Sequence, residues 1–273
     1  MRTSKMVLEQ IIDRGPILRH APFVFFLSLL YVFVAYGVQE LFFPGQSVAT
    51  ILLATLLLVP SLHHLICVEE EIERKGSSHF WKRHHLLFKC YTGAFFGLLA
   101  GFFILGQVNP AALDYQFTQL EIEHLKPEII AAFSAQDFVP TLQTAFALFS
   151  HNVTYLLIGF GLSVFYGAGA IFLVVFNASF FAAFMLEVIT RWTGELAAIS
   201  LVHMIPESLA FILAAIAGAT LSRGIIHEKA HGQAFRNVMQ NVVIMMSIAL
   251  VLLLAAAFIE TYVTAPAFSF ALH

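Results

Sequence analysis

Apolar residues along this chain come in unbroken runs, not in alternation. Segments free of Asp, Glu, Lys and Arg cover 20–39, 41–68, 90–113, 138–186 and 237–259. Strands of a membrane barrel would alternate every second residue, so continuous runs of this length predict helices. A spanning helix needs roughly 20 residues, so the 49-residue run at 138–186 predicts two, turning near Tyr166-Gly167-Ala168-Gly169. Another run, about 196–222, is interrupted by one charge, Glu207. The expected spans are 21–43, 47–68, 90–108, 141–165, 170–190, 196–222 and 238–262, seven in all.

Composition agrees. The 273 residues are 59% hydrophobic and 11% charged, with 29 Phe and a mean hydropathy of +0.84. Soluble domains carry about 25% charged residues, so a water-soluble enzyme and a disordered chain are both excluded. A net charge of −3 leaves no basic footprint for nucleic acid. The fold class is therefore all-α: a polytopic transmembrane bundle whose immediate partner is the lipid bilayer.

Basic residues set the expected orientation. Arg2, Lys5, Arg14 and Arg19, then Arg74, Lys75, Lys82, Arg83 and Lys89, then Arg223, Lys229 and Arg236 all fall on one side; of the 14 Lys and Arg only Lys126 and Arg191 fall on the other. By the positive-inside rule the N-terminus is expected in the cytoplasm and the C-terminus outside the cell membrane. The first apolar run is too long for a cleavable signal and lacks a small-residue cleavage site, so it reads as a signal anchor. Cys67 and Cys90 lie at cytoplasmic helix ends, where a disulfide is not expected.

Three polar segments flank the spans. Residues 109–140 form the longest external loop, with Asp114, Glu121, Glu123, Glu128 and Asp137 against Lys126. Asn109-Pro110 predicts an N-cap and a proline at the first helical position. Leu113, Phe117 and Leu120 share a face and Pro127 ends the pattern, so a short amphipathic helix on the outer surface is expected. The charge run Glu69–Lys75 extends the second helix into water, and Phe80-Trp81-Lys82-Arg83 reads as an interfacial anchor. His63-His64, His84-His85 and the His227/His231 pair lie at cytoplasmic ends and are read as interfacial or capping side chains.

Within the spans two signals remain. Gly93, Gly97 and Gly101 make a double GxxxG stripe, and Ala210, Ala214 and Gly218 a similar small-residue face; each suits close helix packing inside the bundle or, as the sharper reading, a homodimer contact. Polarity at depth is the second. His203 and Glu207 are four apart and share a helical face, with Glu207 roughly 17 Å into its span at 1.5 Å per residue. Pro206 between them frees the carbonyl of Val202 and predicts a kink. Candidate neighbours are His151 with Asn152, Asn177, and Glu260 near the outer end of the last span.

The stretch from Phe149 to Pro266 resembles the SpoIIM-like family (stage II sporulation protein M), in its archaeal-type branch. The residues that carry the likeness are Ser150-His151-Asn152-Val153, Phe165-Tyr166-Gly167-Ala168-Gly169-Ala170 and Phe176-Asn177-Ala178-Ser179. His203-Met204-Ile205-Pro206-Glu207 follows, then Ala217-Gly218-Ala219-Thr220-Leu221-Ser222 and Ala257-Phe258-Ile259-Glu260-Thr261-Tyr262-Val263-Thr264. Met204 stands where the family has glycine, and Ala178 where many members carry Asn-Gly. The resemblance divides the chain into residues 1–140, a cytoplasmic lead with three spans and the external loop that it does not reach, and 141–273, a four-span core. It implies a polytopic protein; in spore formers such proteins help assemble cell-wall hydrolases during engulfment, which is scaffolding. It also directs interest to Asn152, Asn177, His203, Glu207 and Glu260.

Three functions compete at this stage. A scaffold or assembly factor would contact membrane or envelope partners and use the buried polar set to hold helix register. An intramembrane metal, ion or proton site would use His203 and Glu207 with Glu260 or His151, a nitrogen and oxygen set that suits zinc, and could serve a transporter. An intramembrane hydrolase would make Glu207 a general base with His203 orienting it. No HExxH or nucleophile motif supports it, so the reading leans away from an enzyme.

Overall fold

The computed structural model describes residues 21–74, 80–124, 140–165, 169–191, 193–228 and 232–271. Outside them lie the basic lead with Arg2, Lys5, Arg14 and Arg19, the turn residues Tyr166-Gly167-Ala168, and Lys75, Lys126, Pro127, Glu128, Asp137, Lys229 and His231. The side chains of 63–74, 80–84, 121–124, 269–271, Arg191 and His227 are likewise outside, and with them Cys67, His63-His64, His84 and the Trp81 anchor.

Every regular element among the described residues is helical. In order they are α1 (Ala21–Phe42), α2 (Ser47–Arg74), α3 (Phe80–Val108), a 3₁₀ turn (Pro110–Leu113), α4 (Asp114–His124), α5 (Leu142–Phe165), α6 (Gly169–Arg191), α7 (Gly194–His227), α8 (Gln233–Ile259), a π-helical turn (Glu260–Thr264) and α9 (Ala265–Ala271). Hydrocarbon offers no partner to an unpaired backbone amide, so apolar runs close their hydrogen bonds within the segment. Among the described residues six helices are long and apolar enough to cross a membrane, and α2 adds a shorter apolar stretch, Ser47–Leu62. Polar turns lengthen several helices beyond the expected spans. The second runs on through the acidic segment to Arg74, as its charge pattern suggests, and α7 continues unbroken through Pro206.

The glycine stripe fixes the direction of the first three helices. A Cβ at Gly93 would lie 2.8 Å from the Ala21 carbonyl oxygen, one at Gly97 would strike the Phe25 carbonyl, and one at Gly101 would lie 2.9 Å from Val32 Cγ2. Both numberings rise together, so α1 and α3 run parallel at closest approach, and α2 returns the chain between them. We call the end where α1 starts the near end and the other the far end. At the far end Thr50 Oγ1 donates to Gln39 Oε1 and Asn109 Nδ2 to the Tyr36 hydroxyl at 2.6 Å.

The remaining helices alternate around α6. Space at Gly106 is closed by Leu113 and Leu186, which puts the end of α6 at the far end, and Gly169 lies against the Leu162 carbonyl where α5 meets α6. Helices α3, α7, α2 and α5 all pack on α6. Its small residues Ala170, Ala178 and Ala182 are completely buried. One hydrophobic cluster runs from Val24 of α1 to Leu253 of α8, drawing on both sides of residue 140.

Three expectations need correction. The last span does not end at 262: α8 passes into the π turn and on through α9, so apolar helix reaches Phe268. Pro266 explains the change of pitch. It cannot donate to the Tyr262 carbonyl as an α-helix requires, and just before it the Ala265 N–H reaches back five residues to the Glu260 carbonyl. The external helix is also more deeply seated than an interfacial one. Leu113, Gln116 and Leu120 are buried, and the Tyr115 ring meets Phe180 of α6 edge-on at 6.2 Å. Asn109 does precede that segment, but its side chain makes no capping bond, being held by Tyr36 instead.

Candidate functional site

Polar side chains inside an apolar bundle find partners or are costly, so the site is best built from their hydrogen bonds. His203 is buried on α7, and its Nδ1 lies 3.0 Å from Thr264 Oγ1 in the π turn. Helix α7 descends from the far end while α8 and its continuation climb towards it; Phe268 of α9 packs with Leu196 and Ala197 at that end. The two elements are antiparallel. One turn beyond His203 on α7 is Glu207, and one turn before Thr264 is Glu260, so both carboxylates sit at about the same level.

Other hydroxyls there bond locally. Ser208 Oγ donates to the Met204 carbonyl at 2.6 Å, Ser200 to that of Leu196 and Thr261 to that of Ala257. Glu207 is half-buried and engaged with a partner. The longer final helix removes the mismatch in depth that the sequence left at Glu260, which lies well inside the continuous helix reaching Phe268.

The other candidates stand elsewhere. His151 on α5 is half-buried with its ring edge-on to Tyr155, one turn along, at 4.9 Å. Asn152 is half-buried beside it. Asn177 on α6 is half-buried, and its Nδ2 is enclosed without a hydrogen-bond partner. Among the described residues no three His, Cys, Asp or Glu side chains gather in a way that could hold a metal ion. His151, His203, Glu207 and Glu260 therefore do not form the expected zinc set.

The small-residue faces are taken up within the chain. Gly93, Gly97 and Gly101 receive α1; Ala210 and Ala214 are completely buried on α7. A Cβ at Gly218 would strike Ser163, and the Phe160 carbonyl is 2.9 Å away. Both stripes meet helices of the same chain. Sequence reasoning missed Thr264 as the partner of His203, although it closes the Ala257–Thr264 motif four residues after Glu260. It also missed Gln116, fully buried with both amide atoms unpartnered, for which only its place between Leu113 and Leu120 could have spoken.

A family model, Stage II sporulation protein M, matches residues 88–265, from α3 to the first residue of α9 and well over half of the chain. The match begins 61 residues before the resemblance that starts at Phe149. No curated protein and no solved structure matches the chain.

Proposed function

This chain belongs to the stage II sporulation protein M family, and from that premise we propose that it is a scaffold or assembly factor of the cell membrane, docking membrane or envelope partners along α5. One observation carries the reading. Of the most apolar stretch of α5 only 17% is buried, against 72% for α7, yet that stretch of α5 is the less apolar of the two. Ser150, Thr154 and Tyr155 are exposed there, followed by Ile158 and Leu162 at helical spacing. Thr154 already donates to the Ser150 carbonyl, so what this face offers a neighbouring helix is the little-buried surface of Tyr155, Ile158 and Leu162, which a partner's side chains can pack against.

In this reading the near end, which carries Lys89, Arg223 and Arg236, faces the cytoplasm, and the C-terminus is external. Parallel α1 and α3 favour seven crossings, since α2 must return between them. A photo-crosslinking side chain at Tyr155, compared with one at Val251 on the exposed face of α8, tests the docking face. Discrete protein adducts from position 155 and lipid adducts from 251 are expected; the same adducts from both would overturn it.

A second reading, a proton-bearing site, is favoured by the shared level of Glu207 and Glu260 beside His203, because carboxylates within a bilayer are functional by default. Glu207→Gln separates the two. A scaffold keeps its function with an amide that can still hydrogen-bond, while a proton site loses function with fold and assembly intact.

A further inference from the structure

The near end of the α1–α3 pair carries a groove that neither reading uses. It measures about 440 Å³ and is walled by Phe25 and Phe26 of α1 and by Phe88 and Phe96 of α3, with Lys89 and Thr92 also lining it. That volume falls within the range of ligand sites, roughly 300–1,000 Å³. Gly93 gives the groove its floor: any side chain there would meet the Ala21 carbonyl.

Its polar groups lie together on one turn of α3. Lys89 is exposed, and the Thr92 hydroxyl is enclosed without a hydrogen-bond partner. Other threonines in these helices donate to the carbonyl four residues back, as Thr55, Thr154, Thr190 and Thr261 do at 2.8–2.9 Å. Thr92 does not, and its hydroxyl is sealed beneath the groove's surface, so the polar group the groove presents is Lys89. Ala21 opens the α1 span and Lys89 lies one turn into that of α3, which begins at His85. At that depth headgroups give way to acyl chains, and a lysine there reaches outward to the headgroup level.

We propose that this groove holds one anionic phospholipid, an acyl chain against the four phenylalanines and the phosphate on the exposed Lys89 ammonium. Charge complementarity selects this occupant over a zwitterionic lipid, whose ammonium group Lys89 would repel. Basic pockets between helices on the cytoplasmic side commonly take such headgroups, and the near end is the side to which the basic residues assign the cytoplasm.

The full chain would be reconstituted in vesicles of equal phosphatidylcholine and phosphatidylglycerol, extracted in mild detergent and weighed intact by native mass spectrometry. Retained phosphatidylglycerol should exceed phosphatidylcholine by about fivefold, the worth of one basic side chain at an anionic surface. Lys89→Gln should abolish the excess and Lys89→Arg should keep it. Arg236→Gln, the same change of charge at the near end of α8, should leave it intact. No excess in the unaltered protein, an excess that survives Lys89→Gln, or equal loss in Arg236→Gln would each overturn the proposal.

Discussion

At the scale of single residues, contacts with backbone are the least forgiving. A side chain at Gly97 runs into the Phe25 carbonyl, which cannot turn aside as a side chain can. Gly97→Leu should therefore lower stability by about 1–3 kcal/mol, the usual range for overpacking, whereas Gly161→Ala, with nothing within 4 Å, should leave it unchanged. Thermal unfolding in detergent measures both. The His203–Thr264 bond should matter less for stability than its burial suggests. Pairs of this kind in a membrane protein average about 0.6 kcal/mol, because the unfolded chain within lipid also finds partners. A double-mutant cycle with His203→Ala and Thr264→Val should give a coupling of about that size.

Among the elements, the π turn is the one whose geometry decides a site. It lets α8 continue past Pro266 while presenting Thr264 to His203 and Phe268 to Leu196 and Ala197. Inserting one alanine between Ala267 and Phe268 should turn Phe268 about 100° around the helix axis, away from Leu196 and Ala197, one residue's share of a 3.6-residue turn. A disulfide between Ala197→Cys and Phe268→Cys should form in the otherwise unaltered chain and fail after the insertion, as followed by mass spectrometry. Helix α5 was legible as a span from its apolar run, but its exposure was not. Leu157 and Leu156 are equally apolar, and only packing leaves the first half exposed and buries the second.

For the molecule as a whole, the expected orientation has a direct readout. A cysteine at Leu41, exposed at the far end, should react with a membrane-impermeant thiol reagent on intact cells, and one at Arg236 only after the cells are opened. The reverse pattern would invert the assignment. Much of the bundle was legible beforehand: the α1, α5 and α6 boundaries fall within a residue of the expected spans. The end of the last helix was not. Glu260 was expected near the outer end of a span closing at 262, and its place well inside a longer helix became visible only once Phe268 was seen to pack on α7.

The amino-acid sequence alone determined the class of protein and its succession of helices, because both follow from local quantities. In lipid a segment must satisfy its backbone within itself, and mean apolarity over some twenty residues decides whether it enters. The tertiary structure decided which faces meet: the glycine stripe with α1, His203 with a threonine 61 residues away, and the groove at Lys89. Such pairings depend on the rotation and relative height of each helix. Where lipid and core are equally apolar, hydrophobicity does not set them; they are settled by close packing and a few hydrogen bonds.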